Sequence, residues 1–265
     1  MQYLIRLGLA AVLAVWIVSD AAAGPKMLEE GKLTYGTAAT FAPFEYQEDG
    51  KLVGFDIDLG EALAAKMGLE TNILNMEFKG LIPALQGGRI DIINSAMYIN
   101  PERSEQVEFI PYLRIGNEIV VPKGNPKNIG GRDDLCGMTI AVTLGGIQEK
   151  YAREDADKCA QAGKGEVTVL TLPTAQDSAL TVRQGRADVF FNSTPGAIKQ
   201  ITELPDAFEI AGETFEANTR IGIAVRKDDA AMKSAVEQAL MDVVKDGTYD
   251  SLIEKYGLPR TVSLF

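Results

Sequence analysis

The chain is 265 residues long and carries 37 Asp and Glu against 26 Lys and Arg, a net charge of −11. That balance argues against nucleic acid and anionic lipid as partners, although a single arginine can still dominate a closed cleft. Histidine is absent, which removes the commonest general base and the commonest metal ligand, so neither a cofactor nor a metal is expected.

Residues 1–23 read as a secretory signal peptide. Arg6 supplies the positive start, Leu7 to Val18 is an apolar run of twelve residues, too short to span a bilayer, and Ala21-Ala22-Ala23 is a cleavage box. No cysteine lies nearby, so a lipid anchor is not indicated and a soluble, exported product beginning near Gly24 is expected. Its roughly 240 residues suffice for a good core in one or two domains. In an oxidising compartment Cys136 and Cys159 read as a disulfide closing a loop of about 24 residues, worth roughly 3 kcal/mol. The alternative is two free buried thiols.

Leu33 to Gly36 reads as a first strand, followed by a loop, Thr37 to Glu45, that carries Phe41 and Phe44 around Pro43. Asp49-Gly50-Lys51 is the turn of a small hairpin. Phe55 to Met67 repeats apolar residues at helical spacing, with acids in its first turn and Gly68 as its stop. Thr71 to Asn75 is a second strand. Leu81 to Gln86 is a short helix with Pro83 near its start, ended by Gly87 and Gly88. Ile90 to Ile93 is a strand apolar enough to be buried on both faces. Asn94 to Tyr98 then reads as a small polar loop leaving its carboxyl end, and Pro101-Glu102-Arg103 restarts a helix. Ligands of open α/β sheets bind at such strand ends. Arg103 is therefore either a carboxylate site or a solvated surface charge.

Val107 to Pro111 and Ile115 to Pro122 are extended, and a polar, glycine-rich stretch, Asn128 to Asp134, precedes a new β/α pattern. Met138 to Thr143 is a strand, Leu144-Gly145-Gly146 a turn and Ile147 to Asp155 a helix. No Lys-Ser/Thr follows the glycines, so a nucleotide loop is not indicated, but bare N–H groups there can hold a carboxylate. Val167 to Leu172 is a strand and Thr174 to Gln184 a helix. Gly185-Arg186-Ala187-Asp188 then repeats Gly88-Arg89-Ile90-Asp91, each followed by an apolar strand, which points to two similar lobes. Counting five residues from each aspartate pairs Ala96 with Ser193. Ile221 to Arg226 is a returning strand, and Asp229 to Lys245 and Tyr249 to Tyr256 are closing helices. Strands alternating with helices imply α/β lobes with largely parallel sheets.

Six segments in order, TAATFAPFEY from Thr37, LVGFDIDLGEALA from Leu52, LIPALQGGRIDIINSAMYINPER from Leu81, LCGMTIAVTLGGIQEKY from Leu135, VRQGRADVFFNSTP from Val182 and DGTYDSLIEKYG from Asp246, carry a further signal. Together they resemble the periplasmic solute-binding proteins of family 3, the polar amino-acid receptors of ABC importers. The resemblance implies a two-lobed, type II periplasmic-binding-protein fold with two β-strand-type crossings. Residues 24–116 and 217–265 would form lobe 1, and 117–216 lobe 2. It also implies a periplasmic monomer that binds a small molecule, passes it to the importer's membrane subunits and is not an enzyme.

The resemblance further implies a site. Arg103 would pair bidentately with a ligand carboxylate, Phe41 and Phe78 would sandwich the ligand, and Phe44 would stay in the core. Backbone groups around Ser95, Ala96 and Gly146 would add donors and acceptors, and Gln148 a polar contact. This chain also departs from the pattern. Ser193 stands where an aspartate commonly holds the ligand ammonium, Ala38 where some members carry another aspartate, Tyr98 replaces a small hydroxyl residue and Ile147 a threonine. A buried ammonium without an anion is expensive. The expected ligand is therefore a neutral or acidic carboxylate, or an amine spread over an aromatic cage of Phe41, Phe78 and Tyr98. Two other readings remain on this fold: a dehydratase, which would need a general acid facing the ligand, and a sensor domain signalling to a membrane receptor.

Overall fold

A computed structural model describes residues 24–265. The leader expected over 1–23 lies outside the described residues.

The chain begins with β1 (Lys32–Thr37), the hairpin β2 (Tyr46–Glu48) and β3 (Lys51–Val53), α1 (Phe55–Lys66), β4 (Glu70–Asn75), α2 (Leu81–Gln86), β5 (Ile92–Tyr98), α3 (Pro101–Ser104) and β6 (Val107–Arg114). A second run follows: β7 (Asn117–Pro122), β8 (Thr139–Thr143), α4 (Ile147–Gln161), β9 (Thr168–Leu172), α5 (Ala175–Arg183), β10 (Val189–Ser193), α6 (Thr194–Glu203) and β11 (Phe208–Phe215). The chain then closes with β12 (Arg220–Arg226), α7 (Ala230–Lys245) and α8 (Thr248–Lys255).

Two five-stranded sheets result, ordered β4-β1-β5-β12-β6 and β11-β7-β10-β8-β9. Written in the opposite direction, the second repeats the first. The chain passes from one sheet to the other between Arg114 and Asn117 and returns between Phe215 and Arg220. Each sheet is mixed rather than largely parallel. β1 pairs in parallel with β4 and β5, but β12 pairs antiparallel with β5 and β6; β8, β9 and β10 are parallel, while β7 runs antiparallel to β10 and β11. The reason lies in the crossings, since each strand that enters a sheet from the other lobe arrives from the opposite end.

The repeated Gly-Arg-x-Asp motif has one structural role in both sheets. Asp91 accepts the Thr34 N–H at 2.9 Å and its own N–H donates to the Thr34 carbonyl. Asp188 does the same with Thr139, accepting at 2.7 Å. Each aspartate thus pins the strand that follows it to the first parallel strand of its own sheet.

Four elements differ from the sequence expectation. β5 does not stop at Ile93 but continues through Tyr98, because β12 pairs with it at Met97 and Tyr98. Its polar residues are buried and bonded internally, Asn94 by donating to the Asp56 carbonyl, although its Oδ1 has no partner, and Ser95 by a bond to Glu45. α6 (Thr194–Glu203) and β11 (Phe208–Phe215) are not read from the sequence. α6 is started by Pro195 in its first turn and by the Ser193 hydroxyl, which accepts the Gly196 N–H at 3.1 Å. α4 continues to Gln161, six residues past Asp155, and so brings Cys159 to Cys136, where the two form the disulfide.

Candidate functional site

Between the sheets lies a partly open cavity with about 400 Å³ of space not filled by atoms, part of it continuous with solvent. One wall comes from the loop after β1 (Ala38, Thr40, Phe41), from Phe78 and from Ala96 and Tyr98 of β5. The other comes from Thr143 at the end of β8, Gly146, Ile147 and Gln148 at the start of α4, and Ala175 at the start of α5. Apart from Phe78, which follows β4 after two residues, every wall residue sits at or just beyond the carboxyl end of a parallel strand, where an open α/β sheet places its ligand.

The lining is mostly apolar, with a few convergent polar groups, as in small-molecule sites generally. Gln148 is buried and its Nε2 donates to Asn117 Oδ1 at 2.8 Å. The Tyr98 side chain is also buried, its hydroxyl donates to the Gly116 carbonyl at 3.4 Å, and burial pushes its phenol well above the usual tyrosine range. At neutral pH no side chain of this wall carries a charge.

Arg103 lines an adjoining, more open cleft that shares Gly146 and Ile147 with this cavity. Asn100 caps α3 by accepting the Arg103 N–H at 2.8 Å, which directs the side chain into the cleft. Its Nη1 donates to the Tyr98 carbonyl at 2.6 Å and its Nη2 crosses to the Gly145 carbonyl at 2.9 Å, while the guanidinium lies 5.3 Å from the Phe78 ring centroid. Burial lowers its pKa to about 10, so it stays charged. Two of its five N–H donors are engaged, leaving three. On the rim beside it, Lys150 of α4 pairs with Glu102 of α3.

Of the ten residues expected from the sequence, Phe41, Phe78, Ala96, Tyr98, Gly146, Ile147 and Gln148 line the cavity. Ser95, Arg103 and Ser193 do not. Ser95 is wholly buried and accepts the Ala38 N–H at 2.9 Å while donating to Glu45. Ser193 is wholly buried and caps α6. The backbone donors also differ from expectation. The Ala96 N–H is held by Asp56, Gly145 N–H donates to Glu149 and Gly146 N–H to the Thr143 carbonyl. The first N–H groups of α4, at Ile147 and Gln148, remain as backbone donors on that side. Phe44 is fully buried in the core, as expected. Thr40, Thr143 and Ala175 were not singled out from the sequence; the strand-end rule that marked Asn94 to Tyr98 also reaches Thr143 and Ala175.

Known proteins carry the same pattern. Residues 33–259 match the family described as bacterial extracellular solute-binding proteins, family 3. A probable amino-acid-binding protein of Bacillus subtilis, YxeM, is 33% identical over 251 residues, covering 93% of this chain and 92% of its own. An ancestral arginine-binding protein solved with arginine is 38% identical with a TM-score of 0.80, over 85% of this chain and 98% of that one. An ancestral amino-acid-binding protein described as a precursor of cyclohexadienyl dehydratase is 34% identical with a TM-score of 0.76, over 85% and 95% of the two chains. With two mirrored α/β sheets, two crossings and a cleft at the strand ends, this chain belongs to the bacterial extracellular solute-binding proteins of family 3.

Proposed function

We propose that the chain is a periplasmic receptor, working as a monomer, that captures a small carboxylate-bearing solute between its lobes and delivers it to the membrane subunits of an ABC importer. The observation that carries this reading is the neutral cavity between the sheets, with the buried Arg103 guanidinium beside it bridging Tyr98 to Gly145. The lobes divide at the crossings, 24–116 with 217–265 and 117–216. Closure about the solute excludes water and strengthens each polar contact to it.

The solute is an amino-acid derivative or related carboxylate whose nitrogen is absent or acylated, or is alkylated with its charge spread over the aromatic cage of Phe41, Phe78 and Tyr98. A free α-ammonium needs an anion when buried, and the cavity wall offers none; Ser193, at the place where relatives of this fold commonly use an aspartate, caps a helix instead. A dehydratase reading gains no support: no side chain of the wall is a carboxylic acid, amine or thiol, and its one phenol, Tyr98, is raised well above the usual range by burial and already donates to the Gly116 carbonyl.

Ser193→Asp tests the point directly. Aspartate is as good an N-cap as serine, so α6 keeps its start. The new carboxylate is expected to raise the affinity for ordinary amino acids such as glutamine on the order of tenfold, about 1.4 kcal/mol, relative to N-acylated forms. Titration calorimetry of both ligand types checks it, and an unchanged preference contradicts the reading of Ser193.

A further inference from the structure

Behind the wall formed by Ala38, Phe41 and Ala96 lie two wholly buried carboxyl groups, Glu45 and Asp56. The chain brings them together by docking the start of α1 on the segment before the hairpin. Phe55 N–H donates to the Pro43 carbonyl and Asp56 N–H to the Phe44 carbonyl. Gly54 makes this approach possible: its φ is 131°, and a Cβ there would sit 2.1 Å from the Phe44 carbonyl oxygen.

Both carboxyls reach the ligand wall. Asp56 Oδ2 accepts the Ala96 N–H at 2.5 Å, and Ala96 holds a φ of 34°, in the left-handed region that a residue with a Cβ seldom occupies. Glu45 Oε1 accepts the Ser95 hydroxyl at 2.8 Å, and Ser95 in turn holds the Ala38 N–H at 2.9 Å. The Glu45 backbone also exchanges two bonds with Phe41, at 2.7 and 3.2 Å.

The hydrogen-bond count is uneven. Asp56 accepts from the Tyr112 hydroxyl, 2.8 and 2.7 Å from its two oxygens, and from Ala96. Glu45 Oε2 is buried with no hydrogen-bond partner, and the two carboxyls converge on adjacent residues of β5, Glu45 on the Ser95 hydroxyl and Asp56 on the Ala96 N–H. The titratable groups packed against the pair are phenols: Tyr35 from β1, Tyr112 from β6 and Tyr249 from α8. No lysine or arginine is among them, and two adjacent buried anions without a cation are too costly to coexist.

We propose that Glu45 is a positioning residue that keeps its proton at neutral pH, donating Oε2–H to the Asp56 carboxylate, and that this shared proton holds Ala38, Phe41 and Ala96 in the shape that receives the ligand. Burial, and then the neighbouring Asp56, raise the Glu45 carboxyl well above the ordinary 4.5, in agreement with that assignment. A raised acid stabilises the fold fully below its unfolded value and loses that contribution as pH rises through its folded value. The stability of the ligand-free protein should therefore decline as pH rises from about 4.5 toward the raised folded value.

The proposal rests on this cavity being the ligand site, but its test needs no ligand, so either can fail alone. Carboxyl-carbon and amide NMR of the ligand-free protein between pH 5 and 10 is the measurement, on wild type and on Glu45→Gln, which keeps a neutral donor in the same place. The Glu45 carbon is expected to stay at its protonated position through pH 7. The Ala38 amide should move only when Glu45 finally ionises, whereas the Ala96 amide, held by Asp56, should also follow the Asp56 carboxyl, which burial raises to about 6. Glu45→Gln should retain the neutral-pH amide positions and lose the alkaline step. A Glu45 carbon that titrates below pH 6, amides indifferent to its ionisation, or a glutamine variant that misplaces those amides or fails to fold would each overturn the proposal.

Discussion

Arg103→Lys is expected to weaken ligand binding by roughly 30- to 1000-fold, about 2–4 kcal/mol, with the ligand-free protein melting close to wild type. The guanidinium already uses one N–H on the Tyr98 carbonyl and one across the cleft on the Gly145 carbonyl, with its plane over Phe78. Its remaining donors are fixed in direction by those contacts, which is the preorganisation a planar carboxylate needs. Lysine keeps the charge but presents a single point of donors on a flexible stem. The loss should therefore appear in affinity and in the stability of the closed, liganded form, with little effect on either lobe alone. Calorimetry that returned wild-type affinity for the lysine variant would remove Arg103 from the site.

Reduction of Cys136–Cys159, or its replacement by two alanines, is expected to lower stability by roughly 3 kcal/mol from the closed loop alone, and the melting temperature by about 6–12 °C for a chain of this size. The bond ties the end of α4 to the segment before β8, and these two elements reach the cavity's second wall at their opposite ends, through Gln148 and Thr143. Mass spectrometry of unreduced protein should show about two hydrogens fewer than the reduced form. Two freely alkylated thiols in protein exported to an oxidising compartment would contradict the pairing.

How much of this was visible in the sequence depends on whether the signal was local. α1 has its acids at the start, a helical apolar period and a glycine stop, and it forms over Phe55–Lys66. The Gly-Arg-x-Asp repeat marked two similar sheets because it does the same pinning work in each. Asn94 to Tyr98 misled because polarity usually marks a loop, whereas here long-range partners, β12 and Asp56, hold a polar strand inside the protein. Mixed sheet direction was equally hidden, since it follows from which lobe a strand arrives from. At the site, Phe41, Phe78 and Gln148 came from the resemblance to the family, and all three line the cavity. The engaged Ser193 hydroxyl, the Gly145 partner of Arg103 and the Glu45–Asp56 pair involve residues up to 42 positions apart or a cap that residue type alone does not reveal.

The measurement that bears most directly on the central claim is a thermal-shift screen of the ligand-free protein. It would cover the common amino acids, their N-acyl and N-alkyl forms and small carboxylates, followed by calorimetry of the best compound. A ligand present at 100 times its dissociation constant should add about 2.7 kcal/mol, a rise of roughly 5–10 °C. The largest rises are expected from carboxylates whose nitrogen is absent, acylated or alkylated, with lysine and arginine weak or inactive. Sub-micromolar binding of free arginine or lysine by the wild-type protein would contradict the account, because an acid would then have to enter a cavity whose wall holds none.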